Sequence, residues 1–318
     1  LRWLAERGDW ATFTKYYDPK LNFTELDCLN GQYQLGHNLK AEGYAATEKL
    51  WLTGKSQPAA CDALFAQWAA EGQLTEQKRW QRAKLAAEAR NYPLANSLVK
   101  SMTTLAPQGR LLVDVAQKPE LLSQPSRFQP ADEAMSDVVG LGLRRLARQD
   151  PDKAMALLDG YASSMHFSRD EKVAIAREIG LTLARRFDSR ALDVMTKYDP
   201  ELRDNTVSEW RLRLLLRLAR WEDAYQLTRK LPQDLATTNR WRYWQARSLE
   251  LAEPKNPQAQ VLFKGLARER DFYGFLAADH AKAPYQLNNQ PLMLSQAVIN
   301  KVRNTPGVRR ALELHARG

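Results

Sequence analysis

An all-α fold, a superhelix or solenoid of helix pairs without a sheet, is what this 318-residue chain predicts, and three observations predict it. An apolar helix end recurs first. Leu146-Ala-Arg-Gln-Asp-Pro, Leu183-Ala-Arg-Arg-Phe-Asp and Leu218-Ala-Arg-Trp-Glu-Asp place their leucines 37 and 35 residues apart, close to the period of about 34 of tetratricopeptide helix pairs. Each is followed by a shorter helical stretch with a small residue (Ala154, Ala191, Ala224), where two helices can cross closely. Second, the long helices are apolar over more than half the wheel, as from Trp210 to Ala219, which suits helices that touch neighbours on two sides. Third, there is no sustained period-2 alternation and no hairpin turn between alternating runs.

Taken in order, the chain enters in mid-helix at Leu1-Arg-Trp-Leu-Ala-Glu-Arg, with no signal peptide ahead of it. A turn at Asp18-Pro19 leads to a helix over Thr24 to Leu35. The next spans Leu39 to Leu52 and stops at Thr53-Gly54-Lys55, with glycine where a C-cap is expected. Pro58 opens a helix through Trp68 that Glu71-Gly72 closes, and a pair follows over Thr75 to Arg90 and Pro93 to Met102. From Thr103 to Pro130 the order weakens. Pro107, Pro119, Pro125 and Pro130 surround one apolar run, Leu111 to Val115, and short helices with a hinge are expected there. Beyond Ala131 the start signals are clear: Ser168…Glu171 and Thr206…Glu209 fit a capping box, and Asp150-Pro151 supplies an N-cap with proline at N1.

The stretch from Thr238 to Ala278 predicts three aromatic-rich helices. Trp241, Trp244, Ser248 and Leu251 form one stripe, with Arg240, Tyr243 and Arg247 beside it. Glu253-Pro254 and Asn256-Pro257 stop the first helix. The second runs from Gln258 to Glu269, and the third starts near Asp271 with Phe272, Tyr273 and Phe275. The end, Val308 to Gly318, is again helical. Both ends read as cuts in a longer chain.

Composition narrows the function classes. Charged residues are 26% and apolar ones 44%, the balance of a folded soluble protein, and no apolar run reaches the roughly 18 residues of a membrane span. The net charge of +10 permits an anionic partner. The basic residues are scattered, however, and no nucleic-acid partner is expected. Arg213, Arg217 and Arg220 share one helical face, as do Arg240 and Arg247. Solvated faces are the preferred reading, over a diffuse anion-attracting surface.

Chemistry-bearing motifs are few. His37, His166, His280 and His315 have no metal-ligand spacing, and no metal or cofactor is expected. Cys28 and Cys61 form no CxxC pair. They are two small core residues or one disulfide, and composition does not choose between them. Gly140-Leu-Gly lies in an apolar helical pattern and reads as a packing site, not a phosphate loop. HExxH and GxSxG do not occur. Asp132/Glu133 and Glu222/Asp223 sit in first turns, where they favour the helix dipole rather than catalysis. Trp241 and Trp244 could stack sugars or bases, but core packing is the preferred reading. From the residues alone the chain is an interaction scaffold.

Leu50-Trp-Leu-Thr-Gly-Lys-Ser-Gln-Pro-Ala-Ala-Cys-Asp-Ala-Leu-Phe65 closely resembles a segment of the soluble lytic murein transglycosylases of Gram-negative bacteria. Arg240-Trp-Arg-Tyr-Trp-Gln-Ala-Arg and Phe272-Tyr-Gly-Phe-Leu-Ala-Ala resemble the helical region of the same family, and the similarity extends over essentially the whole chain. The resemblance implies a periplasmic enzyme that cleaves the β-1,4 bond between N-acetylmuramic acid and N-acetylglucosamine without water, leaving a 1,6-anhydro ring. It implies that residues 1–283 belong to a U-shaped superhelical domain and residues 284–318 to the start of a linker domain, which together close into a ring. In the family a lysozyme-like domain on that ring carries a single glutamate, acting as acid and then as base, unlike the two-carboxylate scheme of most glycosidases.

No Glu-Ser, Gly-Leu-Met-Gln or Ala-Tyr-Asn-Ala-Gly motif occurs in these residues, so no catalytic residue carries over and the chain is expected to be inactive alone. Its implied role is to shape the ring and hold glycan strands weakly through its basic surface, with the enzyme's own catalytic domain as partner. The resemblance further implies a structural disulfide between Cys28 and Cys61. The rival reading is a tetratricopeptide-like protein adaptor with no attached enzyme.

Overall fold

The computed structural model describes residues 1–317, and among them every regular element is a helix. The chain divides into two compact units, Leu1–Arg217 and Leu218–Gly318. The first unit opens with Arg2–Glu6 (α1), Trp10–Tyr16 (α2), Thr24–Gly36 (α3), Lys40–Trp51 (α4) and Asp62–Ala70 (α5). Then come Glu76–Glu88 (α6), Tyr92–Lys100 (α7), Ala106–Gln117 (α8), Glu133–Gln149 (α9) and Pro151–Ala162 (α10). Arg169–Arg185 (α11), Arg190–Tyr198 (α12) and Asn205–Arg217 (α13) complete it. Helices adjacent in sequence pair as α3/α4, α6/α7, α9/α10 and α11/α12, and α8, α9, α11 and α13 pack in series.

The series forms because its long helices are apolar nearly all round. In α9, Val138, Val139, Leu141, Leu143 and Leu146 are all buried, against α8, α10 and α11. Each such side chain contributes about 1.5–3 kcal/mol relative to exposure. The small residues of the short helices, Ala154, Ala191 and, in the second unit, Ala224, are fully enclosed. Leu146 and Leu183 are buried as helix-end anchors, but Leu218 is 48% exposed. It lies past the end of α13, where Leu212, Leu214 and Leu215 supply the burial instead.

The caps follow the sequence with one change. The Ser168 hydroxyl accepts from the Glu171 N–H at 3.1 Å and the Asp150 carboxylate from the Lys153 N–H at 3.0 Å. For α13 the cap is Asp204, which accepts from the Val207 N–H at 3.0 Å, rather than Thr206. Buried Asp199 dictates this, because it accepts from the Arg203 and Asp204 N–H groups and fixes the turn entering the helix.

Two other expectations change. The proline-rich stretch is packed and not loose. It holds the twelve-residue α8 and two 3₁₀ turns, with Leu122 and Phe128 fully buried and the Tyr161 hydroxyl donating to the Leu122 carbonyl at 2.7 Å. Gly54 does not cap α4, which ends at Trp51. A Cβ there would stand 2.3 Å from the Leu85 carbonyl oxygen, so the glycine serves the close approach of α6. Gly72, at φ +75°, does close α5 in the left-handed region that favours glycine.

The second unit contains Trp221–Thr228 (α14), Gln233–Ala236 (α15), Asn239–Ala252 (α16), Pro257–Leu266 (α17), Phe272–Ala281 (α18), Gln296–Arg303 (α19) and Pro306–Ala316 (α20). Its core joins Tyr243, Ala246, Phe263, Leu266 and Ala277, with Trp244, Leu262 and Tyr273 packed on it. Trp241 is buried too, and Trp244 partly so, in line with core packing. Tyr243, grouped with Arg240 and Arg247 on a side stripe, is instead central: its ring meets Trp244, Phe263, Tyr273 and His280 at 5.5–6.0 Å. The cause is that α16 packs against α14, α17 and α18, which encloses Tyr243 while Arg240 on the same stripe stays exposed. Residues 283–295 form no helix, and α19 and α20 bury none of their residues. Among the described residues no helix is long and apolar enough to cross a membrane.

Candidate functional site

The first unit carries a groove built by α6, α9 and α11. Asp137, Leu141, Arg144 and Arg148 recur along α9 at helical spacing and form one stripe. Leu85 of α6, Leu141 of α9, Leu112 of α8 and Leu52 from the turn after α4 line a cavity of about 450 Å³, whose polar wall is Lys84, Glu88, Asp137, Arg144 and Glu171. A second space of about 370 Å³ continues past Arg145, Arg148, Arg177 and Glu178.

Ion pairs cross the groove from helix to helix. Lys84 Nζ lies 2.7 Å from Asp137 Oδ2, and Trp80 Nε1 donates to the same oxygen at 2.9 Å. Arg144 bonds both Glu88 of α6 and Glu171 of α11. Arg148 Nε donates to Glu178 at 2.8 Å, and Arg177 reaches Asp204, at the start of α13, at 3.5 Å. Arg145 turns inward, is buried, and donates to the carbonyls of Ala87 and Glu88 at 2.7 and 3.1 Å. Those are the last carbonyls of α6, the end where a cation is favoured.

The two carboxylates that α11 turns to the groove, Glu171 and Glu178, respond oppositely. Burial pushes Glu171 above the ordinary range, with Arg144 pulling against it and Asp137 and Glu88 adding to the rise. Burial raises Glu178 as well, but the hydrogen bond and charge of Arg148 outweigh it and the net shift is downward. Gly140 is a packing site, and the groove explains it. A Cβ there would fall 2.1 Å from Glu171 Oε1, while one at Gly142 would fall 2.3 Å from Val115 Cγ1.

The residues singled out from the sequence lie elsewhere. Cys28 in α3 and Cys61, at the end of the turn Ala59–Cys61, are joined with their Cα atoms 5.0 Å apart, and both are fully buried. Gln32 Nε2 donates to the Ala60 carbonyl at 2.7 Å across the same contact. The arginines of α13 and of the turn after it are each engaged. Arg213 pairs with Glu209 at 3.0 Å, the Arg217 guanidinium lies 3.7 Å over the Phe187 ring, and Arg220 pairs with Asp223 at 2.7 Å. Asp132 caps α9 through the Met135 N–H at 2.7 Å, and Glu222 and Asp223 bond within their own turn. Among the described residues no group of His, Cys, Asp and Glu is arranged to hold a metal. The groove itself escaped the sequence reading. Its charges come from three helices, and the only local signal was the polar stripe interrupting the apolar wheel of α9.

Fold and groove together define an all-α protein of packed helix pairs with a charged, leucine-floored groove. Comparison with known proteins gives this class a family. Over its whole length the chain is 66% identical to the lytic transglycosylase Slt of Pseudomonas aeruginosa, solved as an inactive mutant, with a TM-score of 0.88 and 52% of that chain covered. The 70-kDa soluble lytic transglycosylase of Escherichia coli shares the fold at 24% identity and a TM-score of 0.71, covering 98% of this chain and 50% of that one. Among curated relatives, the soluble lytic murein transglycosylase of Escherichia coli is 27% identical over 292 residues, 89% of this chain and 44% of that protein. A putative soluble lytic murein transglycosylase of Haemophilus influenzae is 24% identical over 285 residues, 86% of this chain and 41% of that protein. A family model described as Cucumovirus coat protein matches residues 36–119, short of half the chain, and assigns no family. The chain belongs to the soluble lytic transglycosylase family, and it spans about half the length of the relatives it matches.

Proposed function

We propose that the chain is the non-catalytic helical scaffold of a periplasmic soluble lytic transglycosylase, and that it holds peptidoglycan strands for an enzyme that cuts the N-acetylmuramic acid–N-acetylglucosamine bond to 1,6-anhydro products. The groove across α6, α9 and α11 carries this reading, since it is an open, charged cavity of ligand size in a chain whose relatives are named for acting on murein. Residues 1–283 would form the superhelical part and residues 284–318 the beginning of a linker domain. Support comes from the helix-free stretch 283–295 and from α19 and α20, which bury nothing. The enzyme's own catalytic domain would be a partner of the scaffold.

Co-sedimentation with purified sacculi tests the holding role. A chain of net charge +10 facing a polymer rich in carboxylates should bind at low salt and release as the Debye length falls below about 8 Å. No sedimentation at low salt would overturn the scaffold reading, and salt-independent binding would overturn its weak electrostatic form. Release of anhydro-muropeptides by the 318-residue chain alone would contradict its non-catalytic character.

A further inference from the structure

Consecutive helix pairs of the first unit are tied in two layers, and the ties differ. The long helices α9 and α11 pack directly on one another and are bridged by Arg144–Glu171 and Arg148–Glu178. The short helices α10 and α12 do not pack closely together; α10 rests on α9 and α11, and α12 on α11 and α13. What spans them is charge. Arg190 of α12 reaches Asp152 of α10 at 2.7 Å, and Lys197 reaches Asp159 at 2.9 Å. The Tyr198 hydroxyl donates to the same Asp159 oxygen at 3.0 Å, and Asp188 braces Arg190 from its own turn at 2.5 Å.

The spacing on the two helices matches. Asp152 and Asp159 stand seven residues apart on α10, as Arg190 and Lys197 do on α12. Seven residues make two turns, so each pair shares a face, and the two ties lie roughly 10 Å apart along the seam. Two parallel ties fix an angle as well as a distance. The layers also differ in exposure. The Arg144 and Glu171 side chains are 16% and 24% exposed, whereas those of Asp152 and Asp159 are 59% and 63% exposed. Salt screens exposed charges strongly and partly buried ones much less. Rising ionic strength therefore loosens the short-helix layer, while the apolar contact of α9 with α11 stays closed.

We propose that the α10–α12 seam is an ionic latch that sets the angle between the pairs α9/α10 and α11/α12. The α9–α11 contact is its hinge, and the latch opens as ionic strength rises. In a stack of helix pairs the curvature is the sum of small rotations between neighbours, so opening this one seam re-aims α13 relative to everything before α9. Exposed ties of this kind add little to global stability. They suffice here because α10 and α12 share no close packing that would fix the angle by itself. The latch concerns the shape of the stack and stands whatever the groove binds.

Nitroxide pairs read the angle by electron spin resonance, and the native disulfide leaves no other thiol to label. Gly160→Cys with Thr196→Cys spans the seam, and Gln149→Cys with Arg185→Cys spans the ends of α9 and α11; all four positions are exposed. Between about 0.01 M and about 1 M salt the Debye length falls from about 30 Å to about 3 Å. The seam distance should lengthen by about 3 Å, the reach of one hydrogen-bonded water let into each tie, and the α9–α11 distance should stay constant. Arg190→Gln with Lys197→Gln should show the long distance already at low salt. Exchanging the charges, Asp152→Lys and Asp159→Lys with Arg190→Glu and Lys197→Glu, should restore the short one. Circular dichroism shows whether each variant keeps its helices. A seam distance that neither salt nor Arg190→Gln with Lys197→Gln alters would overturn the latch, as would a folded charge-exchanged variant that stays open. Equal lengthening of both distances would overturn the hinge, since the whole stack would then loosen together.

Discussion

The helices α3 and α9 stand at similar points in their stacks, each between helices that flank it on more than one side, yet they are held differently. Of thirteen residues, α3 buries only Cys28, Gly31 and Leu35. Of seventeen, α9 buries twelve, from Ala134 to Ala147. Where apolar burial is thin, the chain is closed covalently: Cys28 ties α3 to the turn before α5 across a sequence separation of 33 residues. Where burial is dense no cross-link is present, and the one open side of the helix carries a polar stripe, neutralised pairwise by Glu88, Glu171 and Glu178 of its neighbours. Dense packing is what permits α9 to present charge. A thin helix with the same stripe would have little left to hold it in place.

The largest effect should come from the dense region. Leu143 is fully buried in α9, and Leu143→Ala should cost about 4 kcal/mol through lost transfer energy and the cavity left behind. Urea denaturation measures it, and a loss below about 1 kcal/mol would mean that α9 is not the packing centre assumed here.

Removing the cross-link comes next. Cys28→Ser with Cys61→Ser should cost about 3 kcal/mol in the chain-entropy account of disulfides. The loss should be confined to α3, α4 and α5, because stacked helix pairs feel mainly their neighbours. Hydrogen exchange with and without reductant reads this directly. Protection lost evenly from α3 to α13 would erase the contrast between the two regions.

The groove should respond more weakly, with a pH signature. Arg144→Met leaves Glu171 buried beside Asp137 without its cation, at a cost of about 2 kcal/mol. Because the folded value of Glu171 lies above its unfolded 4.5, the native state keeps the proton over a range where the unfolded chain has released it. Its contribution therefore favours the fold at low pH and is lost as pH rises from 4.5 through the raised folded value. Arg144→Met removes the opposing pull and should steepen that loss, whereas Glu171→Gln should flatten it. Urea midpoints measured from pH 4.5 upward for the wild type and both variants decide the sign. A Glu171→Gln profile identical to the wild type would remove Glu171 from the account.

The smallest effect belongs to the outer surface. Lys197 and Asp159 pair at 2.9 Å with side chains 61% and 63% exposed, and Lys197→Ala should change stability by less than about 0.5 kcal/mol. A larger change would show that exposed pairs of this kind share in holding the stack, contrary to the division between buried centre and solvated rim.

Short-range patterns were enough to read the class of fold, because helix formation and helix ends depend on residues within a few positions of one another. The caps at Ser168 and Asp150, the helix stop at Gly72 and the crossing alanines Ala154, Ala191 and Ala224 were all legible that way. What a residue meets across the stack was not. Gly54 looked like a helix cap and is a gap left for the Leu85 carbonyl. Leu218 matched the two anchors before it and lies exposed, while Tyr243 sat beside arginines in the pattern and is enclosed by four rings. Composition left Cys28 and Cys61 open until the family resemblance paired them, whereas the assembly of Lys84, Asp137, Arg144 and Glu171 needed segments from different helices to be brought together. Burial and ion pairing belong to neighbours in space. In a stack of helix pairs those neighbours sit some 27 to 57 positions away in the chain, beyond the reach of any local period, and only the tertiary structure could name them.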